Sequence, residues 1–325
     1  MDTDRKLLRL GAAVILCAVV LHFVGNGQLP QQEKIVQTLL FMQTGRRIRP
    51  TEPTESEEIP TQPATEPEET LPPETVPQPA VLTATDVAAV AIHNLAGYAV
   101  DVEKLMGQNL DWQLRGENPT VLILHTHGTE SYRNTEGYKE STKYRTEDGD
   151  YNMISVGARL AEYLERGGVR VIHDTTPYDL PSYSGSYTKA RTAVETVLGE
   201  YPSICLILDL HRDAMTDANG KQKAYTQDTA AKLMLVSGSD AGGLTYPGWE
   251  QNLSLAVKMQ ALLEREKPGI CRPLSFRTGR YNQDLFPNML LVEVGAAGNT
   301  RQEALASMEF LAKSILQIAE GTTYE

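Results

Sequence analysis

Residues 51–79 are built mostly from Thr, Pro and Glu, contain no Lys or Arg, and offer only Ile59, Ala64, Leu71 and Val76 as apolar side chains besides proline. Such a segment cannot bury enough surface to offset the entropy of ordering it. Proline keeps it extended and its like charges repel, so it reads as a spacer. It divides the chain into parts that cannot share a core. Residues 81–325 lie after it and are enough for a folded domain of ordinary size.

Ahead of the spacer, Arg5, Lys6 and Arg9 lead into an apolar run over residues 10–24 in which His22 is the main polar group. Counted from Leu7, the run reaches about the minimum length for a helix that crosses a bilayer. The basic residues precede it, which places the N-terminus in the cytoplasm. No small-x-small cleavage pattern follows, so the expectation is an uncleaved signal-anchor. The expected plan is a cytoplasmic tail (1–6), a transmembrane anchor (7–25), a juxtamembrane segment (26–50), a disordered linker (51–80) and an extracytoplasmic domain (81–325) at the cell membrane. Residues 33–42 have the pattern of a short helix. With 30 Lys and Arg against 42 Asp and Glu the formal charge is -12, which argues against nucleic acid as a partner. Cys17, Cys205 and Cys271 have neither metal-knuckle spacing nor the pairing of a disulfide framework. They read as small apolar residues and a surface thiol.

Within residues 81–325 short apolar runs alternate with amphipathic ones. Residues 120–125 (Thr-Val-Leu-Ile-Leu-His), 169–173, 204–210, 233–237 and 289–294 read as strands with both faces covered. Residues 153–166, 189–198, 249–266 and 301–320 have helical spacing, and Gly167 and Gly168 stop the first of these. Alternation of this kind predicts an α/β fold with a mostly parallel sheet and helices on both faces.

In such sheets sites form beyond the carboxyl ends of the strands. The first run ends in His125-Thr126-His127-Gly128-Thr129-Glu130, another in Asp209-Leu210-His211-Arg212-Asp213, and the last in Val292-Glu293-Val294-Gly295. Two histidines and carboxylates converging from separate strands suit a hydrolytic zinc site, which needs neutral imidazoles, a carboxylate and one open position. His127 and Glu130, spaced His-x-x-Glu, reach one ion if the chain turns helically after the strand, and His211 joins them from the next strand. Glu293, at the end of an apolar strand, is a candidate general base because desolvation raises a carboxyl pKa; the alternative is a structural cap on the following turn. His125 is predicted to share a strand face with His127, as a ligand, an outer group or a core histidine. Arg212, Asp213 and Arg280 are candidate substrate or outer contacts, Asp213 by orienting an imidazole and the arginines by gripping a carboxylate.

At these residues the chain resembles the stage II sporulation protein P family. The resemblance rests on residues 125–132 (His-Thr-His-Gly-Thr-Glu-Ser-Tyr), 208–214 (Leu-Asp-Leu-His-Arg-Asp-Ala) and 291–295 (Leu-Val-Glu-Val-Gly). Supporting stretches are 172–174, 182–187 (Ser-Tyr-Ser-Gly-Ser-Tyr), 201–204 and 281–285, together with Ile92-His93-Asn94 and Gly97-Tyr98. It covers most of residues 90–320. It implies a zinc amidase/carboxypeptidase-like fold and a zinc-dependent N-acetylmuramoyl-L-alanine amidase acting on peptidoglycan. It further implies endopeptidase activity toward cross-links, a role in spore engulfment, and a stage II sporulation protein D-type lytic transglycosylase as partner. By this resemblance His127 and His211 are metal ligands and Glu293 the catalytic acid and base. The wider group of zinc amidases places its ligand glutamate shortly before a helix-opening pair that matches Tyr151-Asn152 here. This leaves Glu147, Asp148 and Asp150 as alternatives to Glu130, with Asn152 a cap or site-orienting residue. Two other readings use the same residues: a zinc carboxypeptidase trimming stem peptides, and a non-catalytic wall-binding tether.

Overall fold

The computed structural model describes residues 79–110, 112–133 and 144–325. The expected cytoplasmic tail, anchor, juxtamembrane helix and nearly all of the linker, with Cys17, lie outside the described residues. Among the described residues no helix is long and apolar enough to cross a membrane.

The elements follow in chain order. Strand β1 (Ala80–Leu82), helix α1 (Ala84–Ala89), β2 (Ile92–Asn94) and α2 (Val102–Met106) come first. Then come β3 (Val121–Leu124), α3 (Met153–Arg166), β4 (Val171–His173), α4 (Ser186–Glu200) and β5 (Leu206–Asp213). After two short strands, β6 (Thr226–Gln227) and β7 (Ala230–Ala231), come β8 (Leu233–Ser237), α5 (Trp249–Glu266) and β9 (Leu274–Phe276). Finally β10 (Met289–Ala296), α6 (Arg301–Gln317) and β11 (Thr322–Tyr324) close the chain. Seven strands form one sheet in the order β2-β9-β8-β10-β5-β3-β4. Every pairing in it is parallel except β10 with β8. The fold is therefore α/β with a mostly parallel sheet.

Strand alternation sends the apolar side chains to both faces. Val121, Ile123, Leu206, Leu208, Leu210, Leu290 and Val292 join one core with α3, α5 and α6, while Leu122, Leu124, Ile207 and Met289 pack on Ala190 and Val194 of α4. Each fully buried leucine contributes about 1.5–3 kcal/mol relative to exposure. Local signals agree with this packing. Asn152 caps α3, its side chain accepting from Ile154 N. Thr300 and Glu303 form a capping box at the start of α6.

One local expectation is corrected. The strand expected to run to His125 ends at Leu124, and residues 126–129 form a turn. Period-two alternation therefore does not carry from His125 to His127. His125 is buried against α3, with Nδ1 3.2 Å from Leu210 O and Nε2 2.9 Å from His173 Nε2. A Cβ on Gly157 would overlap both rings, so glycine is what lets α3 approach this pair. Burial, and then the neighbouring His173, lower the His125 pKa to about 3. It is a neutral core histidine.

Candidate metal centre

β3, β5 and β10 are adjacent, parallel strands, so their carboxyl ends open on one rim of the sheet. On β5, Asp209 and His211 are two residues apart and share a face. On β10, Glu293 lies directly opposite His211. Asp209 is fully buried and ties the strand to the β3 exit, accepting from Thr126 N at 2.8 Å and from Thr126 Oγ1 at 2.6 Å. Burial alone would raise its pKa, but His211 and the Thr126 bonds outweigh this and lower it.

The turn after β3 closes with Glu130 N donating to His127 O at 3.1 Å, which brings the two side chains to the same side. Glu130 Oε1 is 3.7 Å from His127 Nδ1, and its Oε2 is 3.8 Å from His211 Nδ1. The two imidazoles stand 4.8 Å apart at 86°. One donor atom from each of His127, Glu130 and His211 lies within 4.8 Å of the others, and all three residues are buried. Tetrahedral zinc with bonds of about 2.0–2.2 Å needs ligand atoms about 3.3–3.6 Å apart. The donor set of two imidazoles and a carboxylate fits that ion, and the carboxylate–imidazole separations of 3.7 and 3.8 Å lie close to that spacing.

Neighbouring groups point these donors inward. His211 Nε2 is 2.9 Å from Asp209 Oδ1 in an ion-pair contact that lacks hydrogen-bond alignment; the carboxylate charge there favours the proton on Nε2 and leaves Nδ1 toward Glu130. His127 Nε2 is 3.1 Å from Ser186 Oγ, which leaves its Nδ1 facing Glu130. The Glu130 carboxylate accepts from Arg212 N at 3.2 Å and from Arg145 Nη2 at 3.3 Å. The Arg212 guanidinium donates to Ser131 O and Tyr144 O and so fixes the loop that carries Glu130.

Electrostatics follow from this crowding. Burial opposes a cation on His211, but Asp209, Glu130 and Glu293 together overcome it and raise the pKa to about 9. The field that favours a proton there also favours a divalent cation in its place. His127 moves the other way, to about 4, through burial and the charge of His211. Burial is the main cause that raises Glu293 to about 7. Its Oε2 is buried and has no hydrogen-bond partner among the described residues. Behind Glu293 the β5–β10 pairing is interrupted by a bulge before Ala296. Gly295 sits in it with φ +62, where a Cβ would lie 2.6 Å from Asn299 Oδ1 and 2.9 Å from Ala231 Cβ. Only glycine fits this turn.

The remaining sequence candidates fall elsewhere. Asp213 is not set against an imidazole: it pairs with Arg272 at 2.7 Å, and Arg272 lies over the Tyr225 ring. Its carboxylate is taken by Arg272, and Asp209 takes the place beside His211. Arg280 is held by Asp284 and Thr245 O. Asn152 is a helix cap, and Glu147, Asp148 and Asp150 lie on the exposed side of its approach. Several site residues carried no functional reading in sequence. Asp209 had a usable signal, its i, i+2 spacing from His211. Tyr183, Ser186 and Tyr187 had no role legible from spacing, because they come from a distant segment; their stretch, 182–187, entered only through the family resemblance. There Tyr183 stacks on His127 at 4.2 Å, lies under the Arg145 guanidinium at 4.6 Å, and has Tyr187 as a neighbour at the His127 edge.

Comparison with known proteins follows the same residues. Residues 32–316 match stage II sporulation protein P. Stage II sporulation protein P of Bacillus subtilis (strain 168) is 29% identical over 209 residues, covering 59% of this chain and 49% of that protein. The match thus spans about half the length of that relative. Among solved structures, N-acetylmuramoyl-L-alanine amidase AmiC2 of Nostoc punctiforme is 16% identical over 63% of this chain and 97% of its own, with a TM-score of 0.37. The CwlD amidase from Clostridioides difficile, solved in complex with the GerS lipoprotein, is 14% identical over 62% and 96%, with a TM-score of 0.39. With a match that runs through β3, β5 and β10 and so takes in His127, Glu130, His211 and Glu293, the chain belongs to the stage II sporulation protein P family.

Proposed function

We propose that the protein is a zinc-dependent peptidoglycan hydrolase that cleaves the amide between the N-acetylmuramoyl lactyl group and L-alanine. The observation that carries this is the register of Glu293 directly opposite His211, beside the His127–Glu130–His211 donor group. Family membership supports the substrate class. His127, Glu130 and His211 would hold zinc, which when bound supplies a Lewis acid for the scissile carbonyl and for water.

The chain's own groups do the rest. Glu293 accepts a proton from the attacking water, whose oxygen bonds to the carbonyl carbon. It then delivers that proton to the nitrogen as the C–N bond breaks, giving a lactyl carboxylic acid and a free stem-peptide amine; the acid proton then passes to the amine or to solvent. A carboxyl pKa near neutrality suits both transfers. Asp209 favours one tautomer of His211, Ser186 orients the His127 ring, and Arg145 and Arg212 hold Glu130. Tyr183 and Tyr187 shield the His127 side from bulk water.

Mass spectrometry of fragments released from purified peptidoglycan by the full-length protein tests this. The expected products are intact stem peptides, released with zinc and absent after chelation. Single amino acids would identify a carboxypeptidase instead, and wall binding with no products a tether. The apolar run over residues 10–24, within the expected anchor of residues 7–25, supports a single-pass anchor that places this chemistry outside the cell membrane. Recovery of the full-length protein in the soluble fraction would overturn that part.

A further inference from the structure

The sheet face that carries Asp209, His211 and Glu293 continues past them. Asp209 pairs with Leu291, Leu291 with Val236, and Val236 with Ser275. Side chains at paired positions share a face, so these residues form one row beside the site. Leu274 and Phe276 turn into the opposite core. Arg277 N donates to Ser237 O at 2.9 Å, which extends the ladder by one residue and puts the Arg277 side chain on the face of the site. There its Nε donates to Ser275 Oγ at 2.8 Å, folding the side chain back over the row.

The neighbouring arginines are engaged. Arg145 and Arg212 face Glu130, Arg191 and Arg280 pair with Asp284, and Arg272 pairs with Asp213. Arg277 is half-buried, and among the described residues no carboxylate pairs with its guanidinium. It lies within electrostatic reach of Glu293, whose carboxyl pKa it pulls down against the effect of burial. Between the two lie the buried apolar side chains of Met234, Val236 and Leu291, with Tyr281 packed over them. Tyr281 and Asn282 both hold left-handed backbone, φ 53 and 59, a conformation uncommon for residues with a Cβ. Asn282 Nδ2 anchors that turn by donating to Tyr187 O at 2.7 Å. The strained turn keeps the Tyr281 ring 6.2 Å from Tyr187, which in turn lies at the edge of His127.

We propose that Arg277 is a specificity-determining residue that binds a free carboxylate on the second or third residue of the substrate's peptide. The inference rests on the hydrolase reading for the identity of that peptide. Two strand spacings, about 10 Å, separate the Arg277 strand from that of Glu293. An extended peptide covers about 3.3–3.6 Å per residue, which sets the position of the carboxylate. A guanidinium fork matches a carboxylate with two parallel hydrogen bonds, and an amide offers only one acceptor.

Two pairs of N-acetylmuramoyl peptides test it, identical except that the carboxylate of the second or of the third residue is free or amidated. Binding is measured by calorimetry with zinc-loaded, full-length Glu293→Gln protein, and cleavage with the zinc-loaded wild type. One pair is expected to show about 10–100-fold preference for the free acid. Arg277→Met should bring that ratio close to one, while Arg277→Lys, which keeps the charge without the fork, retains part of it. A folding defect in Arg277→Met would weaken both members of a pair together, and the ratio in Arg277→Lys then decides. An unchanged ratio in the variants, no preference in either pair, or no binding at all overturns the proposal. Absence of cleavage with the binding preference and its loss intact would remove the hydrolase reading and leave the carboxylate site standing.

Discussion

Glu293→Gln is expected to slow release of stem peptides by about 10²–10⁴-fold, the range for loss of a positioned general acid–base group, with the zinc content of the wild type retained. Glutamine keeps the shape of the half-buried side chain, so the donor group of His127, Glu130 and His211 beside it persists. What is lost is the ability to take a proton from water and return it to the amine. The pH dependence gives a second readout. Burial raises the Glu293 carboxyl to about 7, and a divalent cation beside it favours the ionised form and moves the value down. The base form is required, so kcat/KM should rise with pH along a limb that lies at or below pH 7. Residual activity of Glu293→Gln should lack that limb. A variant that retains full activity, or one with no zinc, would remove Glu293 from its assigned role.

His211→Ala should reduce zinc affinity by more than about 100-fold, because loss of groups outside the ligand set alone typically costs about 10–100-fold. Zinc per purified chain is the direct measurement, and unchanged stoichiometry would sink the metal assignment. A structural effect accompanies it. Without the imidazole, the fully buried Asp209 carboxylate loses its cationic partner, and breaking a buried pair of this kind costs about 3–5 kcal/mol. In the metal-free wild type the raised His211 pKa has a definite consequence. The protonated form binds its carboxylates more strongly in the folded state, so its contribution is present in full below about pH 6.5 and is lost as pH rises through about 9. Thermal unfolding of the metal-free protein should show this loss, and His211→Ala should not.

The order of the longer elements was legible in the residues because it depends on local periodicity, whereas the three-residue strand Leu274–Phe276 of the same sheet is too short to show one. Helices over Met153–Arg166 and Trp249–Glu266, and the strand Leu233–Ser237, run where their apolar spacing and flanking glycines place them. The His-x-x-Glu spacing likewise brought Glu130 toward His127, since a single turn sets their separation. The direction of Leu233–Ser237, antiparallel to its neighbour Met289–Ala296, was not legible. An apolar run reads the same in either direction.

His125 shows where local reasoning stopped. Alternation predicts a shared face with His127 only while the strand lasts, and the strand ends one residue before His125. Tyr183, Ser186 and Tyr187 carried no local signal because their role exists only once α4 packs on Leu122, Leu124 and Ile207 and brings its N-terminus to the site.

By itself the sequence determined the alternation of strands and helices and the chemical types available at the strand ends, because these follow from spacing within a few residues. Only the tertiary structure decided that Glu293 faces His211, that Asp209 rather than Asp213 stands beside that imidazole, and that Arg277 is left without a carboxylate partner among the described residues. Those relations depend on hydrogen-bond register between strands far apart in the chain, which no local pattern encodes.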